Sequence, residues 1–191
     1  MVYSFVLIGV STGGPAALET VFKGFPDKFP YTVLVVQHMP ERFTKLLAER
    51  LDSLSKLNVV EAIDNEVPQP GTAYIAPGGF HLVLKRTITG YMLRTLKTER
   101  VSGHRPSVDV LFESAAEAVG KNLIAVIMTG MGTDGSIGIK RVHDAGGRTI
   151  AQDESTSVVY GMNRAAIEAN AIDAIVPLGG ITKKILEYIK Q

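Results

Sequence analysis

The sequence predicts an α/β protein: a doubly wound, mostly parallel sheet with helices on both faces and one antiparallel β-hairpin. Three observations predict it. Short apolar runs rich in β-branched residues recur along the chain with helical patterns between them, which is the rhythm of βαβ units. Several of these runs are apolar at every position, so both faces of the sheet need a cover of helices. One stretch breaks the rhythm, where His81 to Arg86 and Tyr91 to Leu96 read as two strands joined around Thr89-Gly90.

The strands are expected at Tyr3 to Val10, Thr32 to Gln37, Asn58 to Ile63, Ala73 to Ala76, Leu123 to Met128, Thr149 to Gln152 and Ala174 to Val176. The clearest helix is Ser107 to Val119, where Val108, Leu111, Phe112, Ala115, Ala116 and Val119 form one stripe and Gly120 can close the end. Phe43, Leu46, Leu47 and Leu51 mark a second helix, and Pro15 suits the first turn of a third over Pro15 to Phe22. Gly135 to Ala145, stopped by Gly146-Gly147, Asn163 to Asn170 and Thr182 to Ile189 complete the set. No internal repeat, low-complexity tract or linker interrupts the 191 residues, and Pro68-Gln69-Pro70-Gly71 reads as a surface turn, so residues 1–191 are expected to form a single domain.

Composition removes several function classes. The absence of Cys excludes disulfides, thiolate metal sites and cysteine nucleophiles, and it fits a reducing cytoplasm. Twenty Lys+Arg against 19 Asp+Glu, a net charge of +1, give no global reason to expect a nucleic-acid or membrane-surface partner. The longest apolar runs fall far short of the roughly 20 residues that span a bilayer. The start of the chain lacks a basic flank and a cleavage site, so it reads as a buried strand rather than a leader. The local exception is Lys85 to Arg105, with six Lys/Arg and the single acid Glu99, a net of +5. It is either a solvated hairpin or a docking surface for an acidic partner.

Three glycine-rich turns at predicted strand ends carry the chemistry. The first, Gly9-Val10-Ser11-Thr12-Gly13-Gly14-Pro15, lacks the glycine that a dinucleotide fingerprint needs at Ser11 and the Gly-Lys-Ser/Thr of a P-loop. It does match the G-x-S-x-G turn that lifts a serine off a strand, with Ser11 as helix cap being the alternative. A serine hydroxyl needs a base. Of the four histidines, His38 follows a strand on the same rim, whereas His81 and His143 suit surface roles and His104 is a polar loop residue able to approach the rim. A third strand ends in Thr129-Gly130-Met131-Gly132-Thr133-Asp134-Gly135, whose Asp134 could orient the imidazole or simply form the turn. The order Ser11, His38, Asp134 differs from the Ser, acid, His order of the common α/β-hydrolase fold.

The segments Ile8 to Pro15, Gln37-His38-Met39-Pro40, Ala76-Pro77-Gly78, His104 to Asp109, Met128 to Gly135 and Gln152-Asp153-Glu154-Ser155 resemble the CheB-type chemotaxis protein-glutamate methylesterases in the family's order. The resemblance implies Ser11 as nucleophile, His38 as general base and acid, and Asp134 as orienting carboxylate. The backbone amides of Met131 and Thr12 would form the oxyanion hole. It implies hydrolysis of glutamate γ-methyl esters and deamidation of glutamines on the cytoplasmic helices of chemoreceptors, with no cofactor and no metal. Arg94, Lys97, His104 and Arg105 become candidate docking residues for those acidic helices. Proteins of this type usually carry an N-terminal receiver domain. The first strand here already belongs to the esterase domain, so the chain is expected to be an excised fragment or to work without that control. One departure is Asn163 in Gly161-Met162-Asn163-Arg164, where the family pattern has proline. The competing readings are a serine hydrolase for small substrates, which needs a deep apolar pocket, and a non-catalytic anion-binding module built on Gly9 to Gly14.

Overall fold

The computed structural model describes residues 5–190, so the expected strand residues Tyr3 and Ser4 lie outside the described residues. Seven parallel strands form one sheet in the order β3-β4-β2-β1-β7-β8-β9. They are β1 (Phe5–Val10), β2 (Thr32–Gln37), β3 (Asn58–Glu61), β4 (Thr72–Ile75), β7 (Leu123–Ile127), β8 (Arg148–Gln152) and β9 (Ala174–Val176). A separate antiparallel pair, β5 (His81–Thr87) and β6 (Gly90–Leu96), is the predicted hairpin. Six α-helices lie among the described residues, α1 (Gly14–Lys23), α2 (Phe43–Leu54), α3 (Val108–Val119), α4 (Ser136–Asp144), α5 (Met162–Glu168) and α6 (Ile181–Ile189), with a short 3-10 turn at Leu178–Gly180 before the last.

The central strands β1, β2 and β7 are buried throughout, as continuous apolar runs require. Their alternate residues feed two cores. Val6, Ile8, Val33 and Val35 face α1, α2 and α6 through Leu18, Phe22, Leu51 and Ile185. Phe5, Leu7, Leu34 and Val36 face α3 and the hairpin through Leu84, Leu93, Leu111 and Phe112. The hairpin is therefore no free arm. Leu82, Leu84 and Leu93 sit in the second core, and Phe5 meets Tyr91 edge to face at 5.0 Å, while Lys85 and Arg86 near the tip remain exposed. In α2 the predicted stripe is rotated. Phe43 and Leu46 are exposed, and Thr44, Leu47, Ala48 and Leu51 make the buried face. Thr44 turns inward because its hydroxyl donates to Glu61 and accepts from the Gly78 amide.

From β1 the chain winds outward to β2 and β4, then returns to place β7 on the other side of β1. This reversal opens a crevice at the carboxyl ends of β1 and β7, the usual place for a site in such sheets. The N terminus of α3 closes over that crevice because Gly9 has no side chain. A Cβ there would fall 2.3 Å from Val108 Cγ1, and Val108 is fully buried. Gly9→Ala is expected to lower stability by about 1–3 kcal/mol, the usual range for overpacking, measurable as a shift in the urea midpoint.

Candidate active site

Ser11 follows the last residue of β1. Its amide donates to Thr129 O at 3.0 Å and its carbonyl accepts from the Gly14 amide at 2.8 Å, so the turn is tied to the loop after β7 and to the start of α1. The left-handed conformation in this turn falls on Gly13, at φ 83°, and not on the serine. Gly130 lets the two loops touch, since a Cβ there would lie 2.8 Å from Ser11 Cβ and 2.2 Å from Met162 Sδ. Among the described residues, the Thr12 and Met131 amides donate to no backbone carbonyl. Thr129 beneath them is fixed on three sides: its amide donates to Gln152 Oε1, and its hydroxyl bonds Thr12 O and the Val159 amide. Asn163, the departure from the family pattern, is buried in α5 and donates to Gln152 O at 2.8 Å, so it braces the residue that braces Thr129.

His38 stands one residue beyond β2. The side chain just before it, Gln37, is 2% exposed and donates from one amide group to both Ser11 O and His38 O, each at 3.0 Å. A single buried amide thus staples the serine turn to the histidine turn. Its only sequence signal was its place in a family-like segment.

His38 Nε2 lies 2.6 Å from Asp134 Oδ2, with both side chains almost buried. Facing a carboxylate, Nε2 carries the proton of a neutral imidazole, which leaves Nδ1 as the acceptor. Nδ1 is buried and has no hydrogen-bond partner. Asp134 is far more than a turn residue. Besides His38 it accepts from the Ser107 hydroxyl at 2.7 Å, the Val108 amide at 2.7 Å and the Asp109 amide at 3.1 Å. Burial opposes its ionisation, but the bonds from His38, Ser107, Val108 and Asp109 outweigh that and hold the carboxyl below its ordinary value. The Val108 and Asp109 amides are orphan groups of the α3 start and the hydroxyl belongs to its N-cap Ser107, together a natural seat for an anion. Sequence spacing located that start without linking it to Asp134.

Ser11 and His38 open onto a cavity of about 630 Å³ that Met39, Glu41, Arg100, His104, Arg105 and Pro106 help to line. His104, which no strand was expected to fix, is held by a backbone bridge with Val101 and stacks on the His38 ring, 3.7 Å between centroids and nearly parallel. Burial, and then the neighbouring His38, lower the His104 pKa. The other docking candidates separate. Arg105 lines the cavity, its Nη1 donating to Thr98 O at 2.6 Å and its buried Nε unpartnered. Arg94 is instead committed to Asp64 at 2.7 Å, and Lys97 lies over the Phe80 ring. His81 contradicts the expected surface role. It is fully buried, accepting from the Ser107 amide through Nδ1 and bonding Glu99 O through Nε2, so it pins the segment leading into α3. His143 is half-exposed on α4 near Asp144 and Asp173.

Comparisons with known proteins show the family of the chain. The family model for CheB methylesterase matches residues 6–185. A protein-glutamate methylesterase/protein-glutamine glutaminase 2 of Xanthomonas campestris pv. campestris is 49% identical over 185 residues, covering 97% of this chain and 52% of that protein. A protein-glutamate methylesterase/protein-glutamine glutaminase of Geobacillus kaustophilus is 50% identical over 189 residues, covering 98% and 54%. The chain therefore spans about half the length of the curated relatives it matches. The crystal structure of the Thermotoga maritima CheB methylesterase catalytic domain superposes with a TM-score of 0.95 at 44% identity, covering 98% of this chain and 100% of that one. With the family model matched over residues 6–185 and a solved catalytic domain of the same fold at 44% identity, the chain belongs to the CheB methylesterase family.

Proposed function

We propose that this chain is a serine hydrolase that removes methyl groups from glutamate γ-methyl esters of chemoreceptors, releasing methanol, and that it deamidates receptor glutamines by the same route. The observation that carries the reading is the His38–Asp134 bond of 2.6 Å, which leaves Nδ1 of His38 free of a hydrogen-bond partner on a residue that lines the same cavity as Ser11. Ser11 attacks the ester carbonyl while His38 Nδ1 takes its proton, and Asp134 stabilises the imidazolium. The amides of Thr12 and Met131 receive the oxyanion. Collapse of the tetrahedral intermediate expels methanol, protonated by His38, or ammonia when the substrate is a glutamine. Water, deprotonated by the same nitrogen, then hydrolyses the acyl-serine and restores Ser11. Every step uses this chain's own side chains and amides, with no cofactor or metal assigned a role.

The substrate assignment rests on the relatives' names together with the character of the cavity mouth. That mouth carries Arg100 and Arg105 against the one acid Glu41, with His104 beside them, which suits an acidic helical surface better than a small apolar ester. Arg94, engaged by Asp64, is dropped from the docking set, and Arg100 takes its place. A receiver domain elsewhere in a longer parent chain is a proposed regulatory partner. Among the described residues no helix is long and apolar enough to cross a membrane, and a cytoplasmic location is part of this proposal. The anion-cradle reading of Gly9 to Gly14 loses support because the His38–Asp134 pair has no part in it.

Methanol release from methylated chemoreceptor membranes tests the reaction. Ser11→Ala and His38→Ala are expected to abolish it to within a few parts in about 10⁴ of wild type, and near-normal turnover by either would refute the assignment. Asp134→Asn should lose less, between about a hundredfold and a thousandfold, and retain a cooperative melt. Charge reversal at Arg100 or Arg105 should raise KM for receptor about tenfold and leave hydrolysis of p-nitrophenyl acetate within a factor of about two. Equal effects on both substrates would contradict a docking role.

A further inference from the structure

Asp109, the second residue of α3, is a carboxyl that the hydrolytic steps above do not use. It is 4% exposed. Its Oδ1 accepts the Gly138 amide at 2.7 Å, in the first turn of α4. That helix starts on Gly135 without a side-chain cap of its own, so Asp109 caps it from the neighbouring helix. The approach is close because Gly138 has no side chain; a Cβ there would lie 3.0 Å from Asp109 Cα and 2.6 Å from Phe112 Cβ. On its other side Asp109 meets Asp134, which accepts its backbone amide at 3.1 Å and whose charge acts on its carboxyl. The loop that carries Asp134 ends at the helix start that Asp109 caps.

We propose that Asp109 is a positioning residue of the hydrolytic centre, wedged between the N terminus of α4 and Asp134 so that it fixes, and electrostatically reinforces, the carboxylate that orients His38. The proposal rests on the Ser11, His38, Asp134 assignment. Neutral, the Asp109 carboxyl leaves Asp134 as the one negative charge beside His38; ionised, it adds a second negative charge behind Asp134 and favours the imidazolium of His38. Burial, opposed by the Gly138 amide and aided by the facing Asp134, pushes its pKa up to about 6, inside the range where imidazoles ordinarily titrate. The charged or titratable groups around it are few. Asp134 faces it directly, with His38 beyond. From the hairpin, His81 bonds the Ser107 amide. Glu113, one turn along α3, is exposed, and on α4 Lys140 pairs with Asp144 while Arg141 is exposed.

The test is steady-state hydrolysis of p-nitrophenyl acetate by this chain, comparing wild type, Asp109→Asn, Asp109→Ala and Ser11→Ala from pH 5 to 9 below each melting temperature. Asp109→Asn keeps the shape and the acceptor for Gly138 but cannot ionise. It should hold kcat within about threefold and move the acid limb of kcat/KM to lower pH by about half a unit, because the imidazolium loses a stabilising charge. Asp109→Ala should lower kcat by about tenfold or more with KM little changed. A folded Asp109→Ala with wild-type kcat and an unmoved acid limb would reduce Asp109 to a helix brace and overturn the proposal. If Asp109→Ala does not fold, an unmoved acid limb in Asp109→Asn overturns it just as well. Wild-type activity no higher than that of Ser11→Ala would instead sink the hydrolase assignment and this inference with it.

Discussion

A carboxylate taken out of water is tolerable only when donors meet its charge, and the architecture around Asp134 supplies them. Four hydrogen bonds converge on it, two from the first amides of α3, one from the hydroxyl of its N-cap Ser107 and one from the His38 imidazole. The neighbouring elements are arranged around that requirement. The α3 N terminus can reach the crevice because Gly9 leaves room for Val108, and it is aimed by His81 from the hairpin through the Ser107 amide. The hairpin thus belongs to the same structural unit as the site, although its own strands contribute none of the three triad side chains.

The sheet order explains why this grouping forms at all. Ser11, His38 and Asp134 follow β1, β2 and β7, which lie side by side although 96 residues of chain separate His38 from Asp134. The His38–Asp134 contact spans the end of the intervening strand β1. Such a span needs both flanking turns held rigid, and each has its own staple: Gln37 binds the serine and histidine turns, and Gln152, itself braced by Asn163, holds Thr129. Asn163 sits in this bracing layer through its bond to Gln152 O.

Much of this was legible in the amino-acid order. Fully apolar runs announced the buried strands, the Val108-Leu111-Phe112-Ala115 spacing announced α3, and the rim turns announced Ser11, His38 and Asp134. What stayed hidden were contacts between segments far apart in sequence. Nothing near His81 says that it will be buried between Ser107 and Glu99, and nothing near Arg94 says that Asp64 will neutralise it. The α2 stripe was misjudged by one position for a similar reason: Thr44 is drawn inward by Glu61 and the Gly78 amide, which displaces Phe43 and Leu46 to solvent. Periodicity records which face is apolar, while a polar residue with distant partners can rotate that face.

The two cores on opposite sides of the sheet have unequal duties. The Phe22, Phe25 and Phe29 cluster and α6 lie on the side away from α3, and they support the site only by keeping the sheet whole. The α3 side holds the anion seat, the hairpin anchor and the helix start that carries the acid. Sequence drift would therefore be felt differently on the two faces. Changes beneath α6 govern how many molecules survive in the cell, whereas changes in the first turn of α3 govern what each surviving molecule can accomplish, so one face can adapt to temperature while the other stays answerable to chemistry.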